Sequence, residues 1–263
     1  GNYNSVTSRI YTDFGLFTAN QDYCKDASHL FNYLTGYSKQ RSYRKLLVAP
    51  LNLRRKLLKM IDDEIRSQKE NNNGYILFKI NSIVDEEVIM RLYQASKAGV
   101  KIDLLCRGMC RLRPKVKDLS ENINVYSIVG RFLEHSRAYY FHNNGNPRLY
   151  LGSADVMQRN FDRRVEVLFP IDDNRIKEDI TEILKLYLTD TSKTWVMSSN
   201  GNYTRKEDLM KISDEPFETV NIQENFVKKV IKKHEKELKE DMRKKVTTKK
   251  ITSNGVHKKI SSD

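Results

Sequence analysis

Between residues 45 and 108 the apolar positions come in three short runs, KLLVAP, YILFKI and VKIDLLCRG. They are separated by stretches in which apolar side chains recur every three or four residues, LNLRRKLLKMIDDEIRSQ and DEEVIMRLYQASKAG. Short continuous runs read as strands buried on both faces, and the longer period reads as amphipathic helices. Strand, helix, strand, helix, strand implies crossover connections, hence an α/β fold with a mixed, largely parallel sheet covered by helices on both faces. The turn NNNG precedes the second strand, and Gly99 closes the second helix.

On either side the pattern changes. From Asp22 to Tyr37 a helical stripe (Ala27, Leu30, Phe31, Leu34) ends at Gly36, a cap and hinge. His29 lies in that helix among apolar neighbours and reads as structural. Later, SRAYYFH and RLYLGS alternate as two strands joined by the turn-rich HNNGNP, which predicts a hairpin. An amphipathic helix follows with Ile176, Ile180, Ile183, Leu184 and Tyr187 on one face. Residues 197 to 220 are polar and read as loop. A charged helix with Val227, Ile231, His234 and Leu238 in its stripe then runs into a basic tail that carries His257 and has the composition of a disordered segment. These changes divide the chain into 1–40, 41–195 and 196–263.

Charge narrows the partners. With 47 basic and 34 acidic residues the formal net charge is +13, which favours a polyanion: a nucleotide, polyphosphate, nucleic acid or an anionic surface. No apolar run reaches the ~18 residues of a membrane helix. Cys24, Cys106 and Cys110 are an odd, sparse set that suits a reducing compartment. CRGMC has one cysteine pair with Arg107 inside it, which would repel a cation, so structural cysteines are the better reading.

The chemistry concentrates between Arg131 and Pro170. His135 and Arg137, two apart on a strand, share a face. Ser153 and Asp155 are expected to end the second hairpin strand and open a short helix whose free N–H groups hold an anion. Arg131, Arg137, Arg159, Arg163 and Arg164 crowd the same stretch and need an anion to offset their repulsion. Asp162 and Glu166 are expected to orient these arginines or His135, with surface ion pairing the alternative for Asp162. A histidine, cations and an anion-holding turn make a site for phosphoryl chemistry, with imidazole as nucleophile or proton donor. At the end of the third strand Arg107, followed by Gly108, is placed to clamp a phosphate, because ligands in such sheets gather at the carboxyl ends of strands. Lys79 and Asn81, at the end of the strand before it, are secondary candidates on the same anionic path.

The pattern HxR, GSAD and RNFDRRVEV resembles the second half-site of the phospholipase D superfamily, whose usual form is HxK, four residues, Asp, then GSxN. Arg137, His142 and Asp155 depart from it at the Lys, Asp and Asn positions. SIVGRFLEHSRAYYF with LYLGSADVMQRNFDRRVEVLFPI, and upstream GNYNSVTSRIYTDFGLFT, LLVAPLNLR, NSIVDEEVI and GVKIDLLCRGMCRLRP, are similar to one branch of it, the long-chain polyphosphate kinases.

That resemblance implies a phospholipase D-like fold and reversible transfer of the terminal phosphate of ATP to inorganic polyphosphate through a phosphohistidine. Tyr11, Arg107 and His135 are the implied ATP- and phosphate-binding residues, and His135 is also catalytic. Arg137, Ser153, Asp155, Arg163, Arg164 and Lys79 stand as secondary candidates. ATP or ADP and polyphosphate are the implied partners, with no specific nucleic acid. A homo-oligomer is expected, working in the cytoplasm or peripherally at a membrane. Magnesium is expected, with its ligands outside this chain. GNYN at residues 1–4 echoes GSAD, with Gly1 aligned to Gly152 and Asn4 to Asp155. The expectation is therefore that residues 1–40 end a preceding catalytic domain whose nucleophilic histidine lies upstream, and that this chain alone is inactive. The competing readings are a phospholipase D-like phosphodiesterase or phosphatidyltransferase using His135 as nucleophile, and a non-catalytic polyanion-binding module.

Overall fold

The computed structural model describes residues 4–37, 42–213 and 216–237. Gly1, Leu238, His257 and the basic tail lie outside them. The elements are β1 (Tyr11–Thr12), α1 (Gln21–Leu34), β2 (Leu47–Ala49), α2 (Leu53–Asn71), β3 (Tyr75–Ile80), α3 (Glu86–Lys97), β4 (Lys101–Cys106), β5 (Ile123–Ile128), β6 (Leu133–Glu134), β7 (Arg137–Phe141), β8 (Arg148–Gly152), α4 (Gln158–Asp162), β9 (Glu166–Pro170), α5 (Asn174–Tyr187), β10 (Thr194–Met197), β11 (Tyr203–Arg205) and α6 (Lys206–Ile212). Two compact units result, Gly1–Val220 and Asn221–Asp263. In the second, a helix covers 222–237, with His234 exposed on it.

The helices begin and end where their sequences dictate. Asp85 caps α3 by accepting the N–H of Val88 at 3.1 Å, and Gly99, at φ +97°, takes the left-handed turn that stops it. Asn72 ends α2 in the same way at φ 54°. Leu57 and Ile61 of α2 and Val88 and Leu92 of α3 are wholly buried against one face of the sheet, where they meet Ile76, Phe78 and Ile80 of β3. Phe78 lies edge-on to Tyr139 and Phe141 of β7, with ring centroids 4.9 and 5.4 Å apart. Each such side chain contributes about 1.5–3 kcal/mol by burial, which makes β3 and its neighbours the rigid platform of the molecule. The alternate β3 side chains face the other way, where Lys79 lies 5.2 Å from the Tyr187 ring of α5. Helices therefore cover both faces.

The nine-stranded sheet has the order β11-β10-β5-β4-β3-β7-β8-β9-β2. It is mixed, and the expectation that it is largely parallel is corrected. Only β3–β4 and β4–β5 pair in parallel, and the other six pairings are antiparallel. Connection length accounts for part of this: the loop after β7 is too short for a crossover and can only reverse the chain. β2 does feed a helix that leads back to β3, but β7, β8 and β9 lie between them. A second correction concerns 197–220, expected as loop: β11 pairs with β10 at the sheet edge and α6 follows it. In a separate two-stranded parallel sheet, β1 pairs with β6, Tyr11 opposite Leu133 and Thr12 opposite Glu134.

Residues 4–37 leave large apolar groups in solvent, Phe17 at 99% and Phe31 at 68% exposure. The α1 stripe is thus only partly covered. Among the described residues no helix is long and apolar enough to cross a membrane.

Candidate active site

The carboxyl ends of β3 and β4, the start of β7 and the end of β8 meet at one edge of the platform, and β6 delivers His135 above them. The hairpin expected around HNNGNP forms, with Arg137 opposite Gly152. Gly152 is required there, because a Cβ would stand 2.0 Å from the carbonyl oxygen of Val167 on β9. Gly108 is equally constrained: a Cβ would lie 2.7 Å from the carbonyl of Asn81, whose oxygen accepts the Gly108 N–H at 2.7 Å. These two close approaches bring four strand ends together.

His135 is half-buried and contacted from three sides. Its Nδ1 lies 3.2 Å from Oδ1 of Asp13, and the Tyr11 ring stands edge-on at 4.9 Å. Arg137 places a guanidinium nitrogen 3.0 Å from Nε2, and the same nitrogen donates to the His135 carbonyl at 2.9 Å. A guanidinium only donates and a carboxylate only accepts. The same guanidinium nitrogen is 3.4 Å from Nδ1, so it stands over the ring face, and the acceptor Asp13 alone sets the tautomer: a neutral ring that satisfies it carries its proton on Nδ1. Burial holds the imidazole below its usual pKa, with Arg137 and then Arg107 acting the same way and Asp13 opposing them.

Arg137 is in turn forked onto Asp155, at 3.3 Å from Nε and 3.1 Å from the second terminal nitrogen. The same carboxylate accepts the N–H of Asn81 at 2.8 Å. Asn81 then receives Nε of Arg107 at 2.5 Å. One chain of contacts thus runs from Asp13 through His135, Arg137, Asp155 and Asn81 to Arg107. Beside it opens a cleft of about 380 Å³ lined by Asp13, Phe14, His135, Arg137, Ser153 and Phe169, among others.

Several expectations are corrected. Asp155 does not open a helix: α4 begins three residues later, at Gln158, and the anion in the turn is the carboxylate of Asp155 itself. Ser153 lines the cleft, yet its hydroxyl donates to Glu166, which also receives the Asn160 amide at 2.6 Å. Glu166 faces Arg164 at 3.7 Å and does not orient His135. Asp162 belongs to Arg54, at 2.7 Å, together with Asp85. Arg163 and Arg164 are exposed outside the cleft, on the short turn between α4 and β9. Lys79 is buried, with Nζ 3.1 Å from Glu134 and 2.8 Å from the Ser136 hydroxyl. Burial pushes this ammonium down, and Glu134 opposes that.

Two contributors were not anticipated, Asp13 and Glu134. Asp13 sits two after Tyr11, so alternation along RIYTD was the available signal for it, whereas Glu134 is marked only by its place just before His135. Among the described residues no group of three His, Cys, Asp or Glu side chains could hold a metal ion.

Set beside known proteins, the chain matches two family models: polyphosphate kinase C-terminal domain 1 over residues 1–40, and polyphosphate kinase C-terminal domain 2 over residues 46–215. The polyphosphate kinase of Prosthecochloris aestuarii is 48% identical over 89% of this chain and 32% of its own length. That of Prochlorococcus marinus is 51% identical over 79% of this chain and 29% of its own length. The crystal structure of polyphosphate kinase from Porphyromonas gingivalis superposes with a TM-score of 0.82 at 38% identity, covering 90% of this chain and 35% of that one. The chain spans about a third of the length of these relatives. Tyr11 and Asp13 fall in the first matched stretch, and the rest of the site falls in the second.

Proposed function

The chain belongs to the polyphosphate kinase family, and from that premise we propose that it forms the receiving half of a site that moves the terminal phosphate of ATP onto polyphosphate, reversibly. The observation that carries this reading is His135, held neutral between Asp13 and Arg137 at the edge where Arg107 also stands.

In this reading the phosphorylated histidine comes from a part of the protein outside this chain, so the chain alone does not turn over. Arg107 forks onto phosphate oxygens, and Tyr11 packs on the nucleotide. An arriving phosphate competes with Asp155 and with the imidazole for the Arg137 guanidinium. As that cation turns to the phosphate, its positive charge no longer opposes a proton on the ring. The neighbouring negative charge then raises the affinity of the ring for a proton, and the Nε2 proton passes to the leaving phosphate oxygen. Asp13 keeps the imidazolium oriented through Nδ1–H. Magnesium enters with the nucleotide, and no residue described here is assigned to it. The reading extends to a homo-oligomer and to the cytoplasm, where ATP is at hand.

The test is labelling of the full-length protein with ATP carrying a labelled terminal phosphate, with and without His135→Ala. Acid-labile protein label with loss of polymer is expected from the variant. Label that vanishes with His135 while nucleotide still binds overturns the division of roles. Absence of both label and polymer in the unsubstituted protein overturns the kinase reading.

A further inference from the structure

The strand-end position of Lys79 suits a phosphate ligand, and its surroundings argue for something else. Its side chain is 3% exposed and that of Glu134 4%. An ammonium has three hydrogens to donate. The three acceptors here are Oε2 of Glu134 at 3.1 Å, the Ser136 hydroxyl at 2.8 Å and the Ser136 carbonyl at 3.2 Å. The Tyr187 ring closes the remaining side at 5.2 Å. Nothing is left to offer a phosphate, and the acceptors belong to the two residues that bracket His135.

The pair also holds a second strand. Oε2 of Glu134 accepts the Thr12 hydroxyl at 2.8 Å, and the Thr12 carbonyl accepts the Ser136 N–H at 3.1 Å. Thr12 lies between Tyr11 and Asp13, the two residues that touch His135 from the other side. One buried cation thus fixes the backbone on both sides of the imidazole and, through Glu134, the strand carrying its neighbours.

We propose that Lys79 is a positioning residue, which acts through Glu134 and Ser136 to set the orientation of His135 against Tyr11 and Asp13 and does not touch phosphate. The proposal rests on His135 being the working group of the site.

The experiment is histidine NMR on this chain, with inorganic tripolyphosphate as the probe. Three forms are compared: unsubstituted, the double variant Lys79→Met/Glu134→Leu, and Ser136→Ala. Replacing both charges together leaves neither buried and unpaired, so the core stays filled. The expected result is that the double variant keeps the His29 and His142 signals of the folded chain. Its His135 loses the single Nδ1–H tautomer and the ring-current shift from Tyr11, while tripolyphosphate still binds. If the double variant does not fold, Ser136→Ala, which keeps the ion pair and removes one tie, is expected to loosen His135 in the same sense.

An unmoved His135 spectrum in whichever variant folds overturns the proposal. So does a loss of tripolyphosphate affinity of about tenfold with the His135 tautomer intact, the signature of a lost charge-assisted phosphate contact. Should tripolyphosphate fail to move His135 even in the unsubstituted chain, the functional reading fails, while the tautomer comparison still reports on the Lys79–Glu134 pair.

Discussion

Asp26 and Asp155 are both buried carboxylates, 1% and 8% exposed, and they are satisfied in opposite ways. Asp26, on α1, accepts three backbone N–H groups, those of Arg44 at 3.0 Å, Lys45 at 2.7 Å and Leu46 at 3.0 Å. Asp155 accepts one backbone N–H and the fork of Arg137. Backbone donors are fixed by the chain, whereas a guanidinium on a flexible stem can turn to a better acceptor. The first arrangement is therefore a rivet between α1 and the start of β2. The second, on the proposed function, holds a cation that is able to turn to phosphate. Buried polar groups alone do not mark a site; what marks it is a partner that can be exchanged.

Breaking the rivet has the largest effect. Asp26→Ala leaves three N–H groups without their acceptor and is expected to lower stability by about 3 kcal/mol or more, read by chemical denaturation. Asp155→Asn sharpens the contrast. The amide still accepts the Asn81 N–H, but Arg137 loses its counter-charge. The cost in stability is about 1–2 kcal/mol, and tripolyphosphate binding, measured by calorimetry, is expected to tighten by about tenfold because the guanidinium is no longer engaged. Weaker binding would mean that Asp155 orients Arg137 for phosphate and does not compete for it.

The smallest effect is protonic. His135 is held below its ordinary pKa in the free chain, so the fold gains from its neutrality above pH ~6.5 and loses that gain as pH falls through the depressed value. Bound phosphate raises that value, so binding takes up a proton, and affinity rises as pH drops from about 7.5 towards 6. Calorimetry in buffers of different ionisation enthalpy should register uptake of a fraction of a proton, absent in His135→Gln. Uptake that survives the substitution would assign the proton to the ligand.

The parts of this molecule legible in the sequence are those fixed by periodicity. The contrast between YILFKI and the helices around it gives β3, α2 and α3, and HNNGNP gives the β7–β8 hairpin. His135 and Arg137 do meet, but not by alternation along one strand as expected: His135 lies in the link between β6 and β7, and Arg137 at the start of β7 reaches back to it. Strand direction is not carried by periodicity, so the antiparallel majority of the sheet went unread. Short, half-exposed β10 and β11 have too few apolar positions to stand out from loop. Charge type shows that Arg137 wants an anion, but not that Asp155 already supplies one. Nor does local spacing show that Asp13 meets His135, or that Lys79 spends its donors on Glu134 and Ser136, because those contacts close only in three dimensions.

The pairing of β1 with β6 bears on how such proteins can be inherited and recombined. The hydroxyl of Thr12 and its acceptor on Glu134 are 122 positions apart, one in each of the two matched stretches. A chimaera joined at the seam between those stretches takes Tyr11, Thr12 and Asp13 from one parent and their counterparts around His135 from the other. The seam looks modular along the chain, yet it divides a single working surface. Parents that differ at Thr12 or Glu134 yield offspring whose halves fold but do not fit.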